Sequence, residues 1–287
     1  MSDHQPAGGS VTSTPAPPRS DLALRVASSL VLAPLALAAA YVGAWFFVAF
    51  WGVAAVGVFA EWTQITGENR RWRVTVAGAA ALVIAAVLAG QQRYGLALVA
   101  LGIGIIACSA LAVAKRRLWG GLGVTYAGAL LLAPIVLRSD PSFGLIAIVT
   151  IFAVVWATDI LGYFVGRIVG GPKLATAVSP KKTWSGALGG ALGAVLAMLA
   201  IAAYAGIHNP TILGLLAVIL SIVSQAGDLC ESAIKRRFGV KDASHIIPGH
   251  GGLMDRLDGF VAAASAAALI GLVRGGVDAA GRGLLMW

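Results

Sequence analysis

Three aspartates in the second half of the chain stand where apolar stretches end. In the segment SQAGDLCESAIKRR, helical continuation past an apolar run sets Asp228, Ser232 and Lys235 at i, i+4 and i+7, sharing one side with Glu231. A carboxylate followed one turn later by a hydroxyl and then an ammonium suits a cation and a phosphate. In PGHGGLMDRLDG, the glycines Gly249, Gly251 and Gly252 let main-chain N–H groups approach an anion. Asp255 and Asp258 follow, three apart and so on one helical face, with Arg256 between them. Acids at the edge of hydrocarbon are costly to place, which makes them functional candidates. Asp228 and Asp255 belong to consecutive antiparallel helices, so their side chains are expected at one level. Facing hard oxygens suit Mg²⁺ carrying substrate phosphates and water.

A complementary charge comes from SPKKTWSG. Ser179 and Pro180 make a turn, Lys181 and Lys182 bring two ammonium groups, and Thr183 is suited to cap the helix that follows. Interfacial lysines also serve simply to snorkel or to enforce orientation. Asp159, with Tyr163 one turn later, lies near the inner end of its apolar segment, and a lone acid there invites a partner. His245 and His250, five apart with no cysteine or third histidine nearby, do not make a zinc motif. His250, between glycines, reads instead as a hydrogen-bond donor near phosphate. GRIVGGPK has the wrong spacing for a phosphate loop, no strand before it, and Pro172 inside it. Cys108 and Cys230 lie in or beside apolar segments without pairing and read as packing residues.

The elements that must position these groups are membrane-spanning helices. Of 287 residues 59% are hydrophobic and 11% charged, far from the roughly one quarter charged in soluble domains. The apolar blocks are long enough to cross about 30 Å of hydrocarbon as helices. The short alternating segments of a membrane barrel are absent. Spans are expected at 23–41, 43–60, 74–90, 95–114, 120–137, 143–164, 184–205, 211–230 and 257–273, the first two split near Tyr41-Val42-Gly43. The expected fold is all-α, a polytopic integral membrane bundle of about nine helices. With the N-terminus cytoplasmic, only Arg93, Arg138, Arg274 and Arg282 of the 21 Lys and Arg fall outside. The net charge of +9 is thus a topology signal, and nucleic-acid binding is not expected. Residues 1–21, rich in Pro, Ser, Thr and Gly, read as a disordered tail ahead of a retained span. Residues 22–140 then form N-terminal spans, and 141–287 a catalytic region with cytoplasmic loops at 165–183 and 231–256.

The run Ser232-Ala-Ile-Lys235-Arg236, Lys241-Asp242, Pro248, His250-Gly251-Gly252 and Asp255-Arg256-Leu257-Asp258 resembles the signature of the phosphatidate cytidylyltransferase family, also called CDP-diglyceride synthases. Trp156 through Gly186 resembles the same family's second block. The resemblance covers roughly 156–260. Many members carry Glu where this chain has Ser185, which is therefore left out of the site. The resemblance implies an Mg²⁺-requiring integral membrane enzyme that condenses CTP with phosphatidic acid to CDP-diacylglycerol and pyrophosphate. It also implies a homodimer and a second cation, with K⁺ a candidate. The Ala- and Gly-rich composition, with Arg favoured over Lys, points to a bacterial source and so to the inner membrane.

On this basis Asp228, Asp255, Lys235 and Arg256 form the expected catalytic set, with Asp228 and Asp255 on Mg²⁺ and Asp258 as a further ligand or its partner. Lys181, Lys182, Lys235, Arg236, Lys241 and Arg256 would hold the triphosphate and the lipid phosphate. Ser232, His250 and the Gly251-Gly252 backbone would donate hydrogen bonds, and Asp159 completes the candidates. Two other functions compete. A cation-coupled transporter would show internal repeats, interrupted helices and charges deeper in its spans. A CTP-dependent enzyme acting on another lipid, such as a polyprenol kinase or an isoprenoid ether-lipid synthase, would share the phosphate-contacting loops.

Overall fold

The computed structural model describes residues 19–67, 71–244 and 251–287, with side chains from residue 31 onward. It is a bundle of helices: α1 (Arg19–Val42), α2 (Ala44–Thr66), α3 (Arg71–Gly90), α4 (Tyr94–Leu111), α5 (Arg117–Arg138), α6 (Gly144–Ile168), α7 (Trp184–Tyr204), α8 (Pro210–Arg237), α9 (Met254–Gly275) and the short α10 (Ala280–Leu285). Among the described residues 8 helices, α2 through α9, are long and apolar enough to cross a membrane. Helix α1 occupies the place of the first expected span, and the chain breaks at Gly43, where φ is +67°. Of the expected tail, residues 1–18 lie outside the described residues, and 19–21 belong to α1.

Two elements depart from the all-helical expectation. The segment 165–183 carries an antiparallel hairpin, β1 (Lys173–Ala175) with β2 (Ser179–Thr183), ahead of α7. GRIVGGPK is therefore a helix end running into a strand, with Gly170 and Gly171 both at positive φ. Helix α10 lies beyond the last expected span and caps the opposite end of the bundle. There Asp140 accepts from the backbone N–H groups of Ser142 and Phe143 at 2.9 Å and of Arg282 at 2.7 Å.

Packing puts α5 at the centre. Its span is 72% buried against 22% for α4, whose outward Leu98, Ile103 and Ile106 face lipid. An aromatic stack joins three helices in the hydrocarbon: Trp51 of α2 lies on Phe260 of α9 at 4.8 Å, and Phe152 of α6 lies 5.2 Å from Phe260. Helices α6 and α7 approach through small residues. A Cβ built on Gly186 would fall 2.7 Å from the Gly162 carbonyl oxygen, and one on Gly190 2.8 Å from that of Thr158. Close backbone approach of this kind supplies the dispersion contact that replaces the hydrophobic effect within a membrane.

Candidate active site

Helix α8 runs without interruption to Arg237, so Asp228, Ser232 and Lys235 are set by helical geometry as expected. Across from it, Thr183 caps α7 by accepting the N–H of Gly186 at 3.1 Å. The cap fixes the junction of β2 and α7, and Lys182 just before it reaches Asp228, Nζ to Oδ2, at 2.5 Å. Ser232 donates to the other oxygen of Asp228 at 3.4 Å. Ser185 donates to the carbonyl of Gly170 and lies 3.0 Å from the Thr183 hydroxyl, so here it ties the hairpin to the end of α6.

Asp258 is brought to the same place by another close crossing. A Cβ on Gly227 would lie 2.9 Å from the Asp258 carbonyl oxygen, and one on Gly259 would lie 2.6 Å from Ser224 Oγ. Asp159 on α6 and Asp258 on α9 both lie within electrostatic reach of Asp228, and Arg256 acts on Asp159. Three helices thus turn carboxylates toward one region, beside Lys182. Under it lies a layer of uncharged polar groups: Thr158 donates to Ser221 at 3.0 Å, and Gln225 donates to Ser221 at 3.2 Å and to the Ala187 carbonyl at 3.3 Å.

Asp255 is placed differently. Its Oδ1 takes the Lys235 ammonium at 2.5 Å, its Oδ2 the N–H of Gly252 at 2.7 Å, and both oxygens approach the N–H of Ala243, at 3.2 and 3.0 Å. The same ammonium meets Glu231 at 2.7 Å as an ion pair, although neither Glu231 oxygen has an aligned hydrogen-bond donor among the described residues. The Lys235, Glu231 and Asp255 side chains are only 10%, 0% and 8% exposed. The roles expected of Lys235 toward phosphate and of Asp255 toward metal therefore meet groups already committed to each other. Likewise the anion that the Gly251-Gly252 backbone approaches is the protein's own. A Cβ on Gly251, at φ +81°, would sit 2.7 Å from Asp255 Oδ2, and one on Gly252 would sit 2.7 Å from Glu61 Oε2.

Lys181, Arg236, Lys241 and Arg256 are exposed on this end. Arg236 donates to the Val240 carbonyl at 3.3 Å, helping to end α8. Its neighbour Arg237 lies over Trp119 at 5.5 Å, docking the end of α8 onto α5. His250, like His245 and Gly249, falls outside the described residues.

Sequence reasoning passed over Glu61, the single acid of α2, which is 1% exposed. It accepts from Ser244 Oγ at 2.6 Å and from the backbone N–H groups of Leu253 at 2.8 Å and Met254 at 2.7 Å. The expected span 43–60 stops one residue short of Glu61, and only with α2 running on to Thr66 does the cost of a lone acid in a span, which drew attention to Asp159, apply to it.

Among the described residues no three His, Cys, Asp or Glu side chains form a group arranged to hold a metal. Mg²⁺ does not require one, because it keeps several waters and binds through one or two carboxylates together with substrate phosphates. Asp228 and Asp258 are donors of that kind. Asp228 is likewise met by an ammonium and a hydroxyl but stays 30% exposed, whereas Asp255, 8% exposed with its oxygens on an ammonium and two backbone N–H groups, fits less well.

Residues 23–273 match the Cytidylyltransferase family. A phosphatidate cytidylyltransferase of Brucella abortus biovar 1 (strain 9-941) is 41% identical over 257 residues, which is 88% of this chain and 94% of that protein. One from Staphylococcus epidermidis (strain ATCC 35984) is 45% identical over 121 residues, 42% of this chain and 46% of its own. One from Haemophilus influenzae (strain ATCC 51907) is 43% identical over 134 residues, 43% of this chain and 45% of its own. A match spanning the bundle from α1 to α9, with a relative aligned along nearly its whole length, makes this chain a member of the Cytidylyltransferase family.

Proposed function

We propose that the chain transfers the CMP unit of CTP to phosphatidic acid, giving CDP-diacylglycerol and pyrophosphate. The observation that carries this reading is the convergence of Asp159, Asp228 and Asp258 from three helices beside Lys182, at an end of the bundle rimmed by exposed Lys181, Arg236, Lys241 and Arg256. Support also comes from the name borne by the relatives above.

In the reaction an oxygen of the lipid phosphate bonds to the α-phosphorus of CTP while the bond from that phosphorus to the bridging oxygen breaks, and pyrophosphate carries away the electron pair. Both reactants are anions, so the chain must offset their repulsion. The rim cations hold the triphosphate and the lipid phosphate. Lys182 is kept at the site by Asp228 even before substrate arrives. The Lys235, Glu231 and Asp255 cluster acts as scaffold, fixing α8 to the first turn of α9 so that Asp258 and Arg256 keep their pose. Mg²⁺ held by Asp228 and Asp258 would neutralise charge on the α-phosphate and the leaving group. No general base is required, because a phosphate monoester is already ionised at neutral pH.

The reading extends to Mg²⁺ dependence, a homodimer and a site facing the cytoplasm of a bacterial inner membrane. The family resemblance supports the first two, and the bias of Lys and Arg toward one side supports the last. The site also explains why an enzyme using soluble CTP is embedded at all: its nucleophile sits at headgroup level.

The test gives the purified chain CTP labelled at the α-phosphorus, and in a parallel arm at the γ-phosphorus that a polyprenol kinase would transfer. Each is offered with phosphatidic acid, a polyprenol or an isoprenoid ether lipid phosphate, and the α-label is the one expected in phosphatidic acid. Label should enter phosphatidic acid, with one pyrophosphate released per CDP-lipid, and chelation should stop the transfer until Mg²⁺ is restored. Label entering only one of the other lipids, or solute uptake by vesicles without any transfer, would overturn the reading.

A further inference from the structure

We infer that Glu61 is a positioning residue for this transfer, capping α9 from another helix and so setting the pose of Asp255, Arg256 and Asp258. The inference rests on the function proposed above for that end of the bundle. A carboxylate buried to 1% exposure in a span is costly unless donors surround it. Glu61 has three, and two of them are the backbone N–H groups of Leu253 and Met254, at the very start of α9.

The first N–H groups of a helix have no partner within it and carry the positive end of its dipole. Helices usually meet this need with the side chain of their own N-cap residue. Here that residue is Leu253, which makes no side-chain cap. Glu61 takes its place from 192 residues away in sequence, with Oε1 on Leu253 and Oε2 on Met254. A two-pronged acceptor fixes rotation as well as position. The next residue in the chain is Asp255, so any turn of α9 about its axis would carry Asp255 and Asp258 with it.

Two further features point the same way. Gly252 is required for the approach, since a Cβ there would lie 2.7 and 2.8 Å from the two Glu61 oxygens. The stack of Trp51 on Phe260 holds the same pair of helices deeper in the hydrocarbon. The α2–α9 pair is therefore held at two levels, and the carboxylate is the one nearest the chemistry. The same contact gives the N-terminal half of the bundle a part in the reaction beyond spanning the bilayer.

A mere strut would affect stability alone. Positioning predicts a loss of turnover in protein that remains folded. In Glu61→Gln an amide NH₂ meets N–H groups where an acceptor is needed. We expect kcat to fall roughly 10- to 100-fold, the range that misplacement near a reacting centre produces, while KM for CTP moves far less. Backbone hydrogen exchange at residues 253–258 should accelerate, with α6 and α7 unchanged. Ser244→Ala, which leaves Glu61 both backbone donors, should keep activity within about fivefold, the worth of one hydrogen bond. Unchanged kcat, or unchanged exchange at 253–258, in Glu61→Gln overturns the inference. If that variant does not accumulate, Glu61→Asp, which keeps the charge but retracts both oxygens, is judged by the same two readouts. A wild-type chain without transfer activity would defeat the proposed function, while the exchange measurement would still decide the contact.

Discussion

Lys235 gives its ammonium to Asp255 at 2.5 Å and meets Glu231 at 2.7 Å, inside the protein. Lys182 gives its own to Asp228, where the two side chains remain 28% and 30% exposed. The two pairs look equivalent in sequence, yet their burial assigns them different work. Removing one member of a buried pair strands the other and costs roughly 3–5 kcal/mol, whereas a half-open pair contributes less than about 1 kcal/mol. Asp255→Asn should therefore lower both the melting midpoint and activity. Asp228→Asn should abolish transfer and leave the midpoint within a few degrees. Thermal scans at one heating rate in detergent, run beside the transfer assay, check both, and equal midpoint losses would erase the distinction between scaffold and site. The sequence marked all of these residues, because acids and cations stand out against an apolar background. It could not divide them into pairs, since that depends on which helix faces which. Gly251 and Gly252 show the limit well: their freedom to approach an anion was legible, but that the anion is Asp255 or Glu61 required the third dimension.

At the scale of elements, the spans were legible because each is a long unbroken apolar block, and even the break at Gly43 fell where a double-length run demanded it. The β1–β2 hairpin was not, since its second strand contains a proline and two lysines and shows no apolar alternation. Six-residue α10 is too short for periodicity to declare itself. Helix pairing was also hidden, although glycines at 162, 166, 186 and 190 carried a partial signal in their spacing of four. That spacing has a mechanical consequence. Gly190→Val forces side-chain atoms toward a Thr158 carbonyl that a bare Cβ would already meet at 2.8 Å, so α7 must move off α6. Because β2 leads directly into α7, Lys182 moves with it. Overpacking costs about 1–3 kcal/mol, and the variant should lose thermal stability and bind CTP more weakly. Gly102→Ala on α4, where nothing lies within 4 Å of the new Cβ, is the control and should gain up to about 1 kcal/mol from reduced chain entropy. A Gly190→Val protein as stable and active as the wild type would mean that α6 and α7 are not locked at that level.

For the whole molecule, the two ends of the bundle are built from different chemistry. One end gathers Asp159, Asp228, Asp258 and the exposed cations around them. The other is closed by arginines satisfying backbone carbonyls. Arg138 at the end of α5 donates to Ala40 near the end of α1 at 2.7 Å, and Arg274 at the end of α9 donates to Met286 at 2.9 Å. With Arg282, whose backbone N–H Asp140 accepts, these are three of the four basic residues expected outside. Helices α1, α5 and α9 thus finish at the same end, and α8 finishes at the other, beside the start of α9. On the proposed function a nucleotide would enter at the acidic end alone, whereas a carrier would have to open at both. The orientation proposed above rests on the bias of Lys and Arg, and it can be read directly. In a chain freed of Cys108 and Cys230, Lys181→Cys in β2 and Ser142→Cys beside Asp140 place single exposed thiols at the two ends. A membrane-impermeant thiol reagent should label Ser142→Cys in intact cells, through an opened outer membrane if there is one, and Lys181→Cys only after the cytoplasmic membrane is broken. Labelling of both from the same side would contradict the alternation of spans, and labelling in the reverse order would place the acidic cluster away from cytoplasmic CTP and defeat the proposed route of the nucleotide.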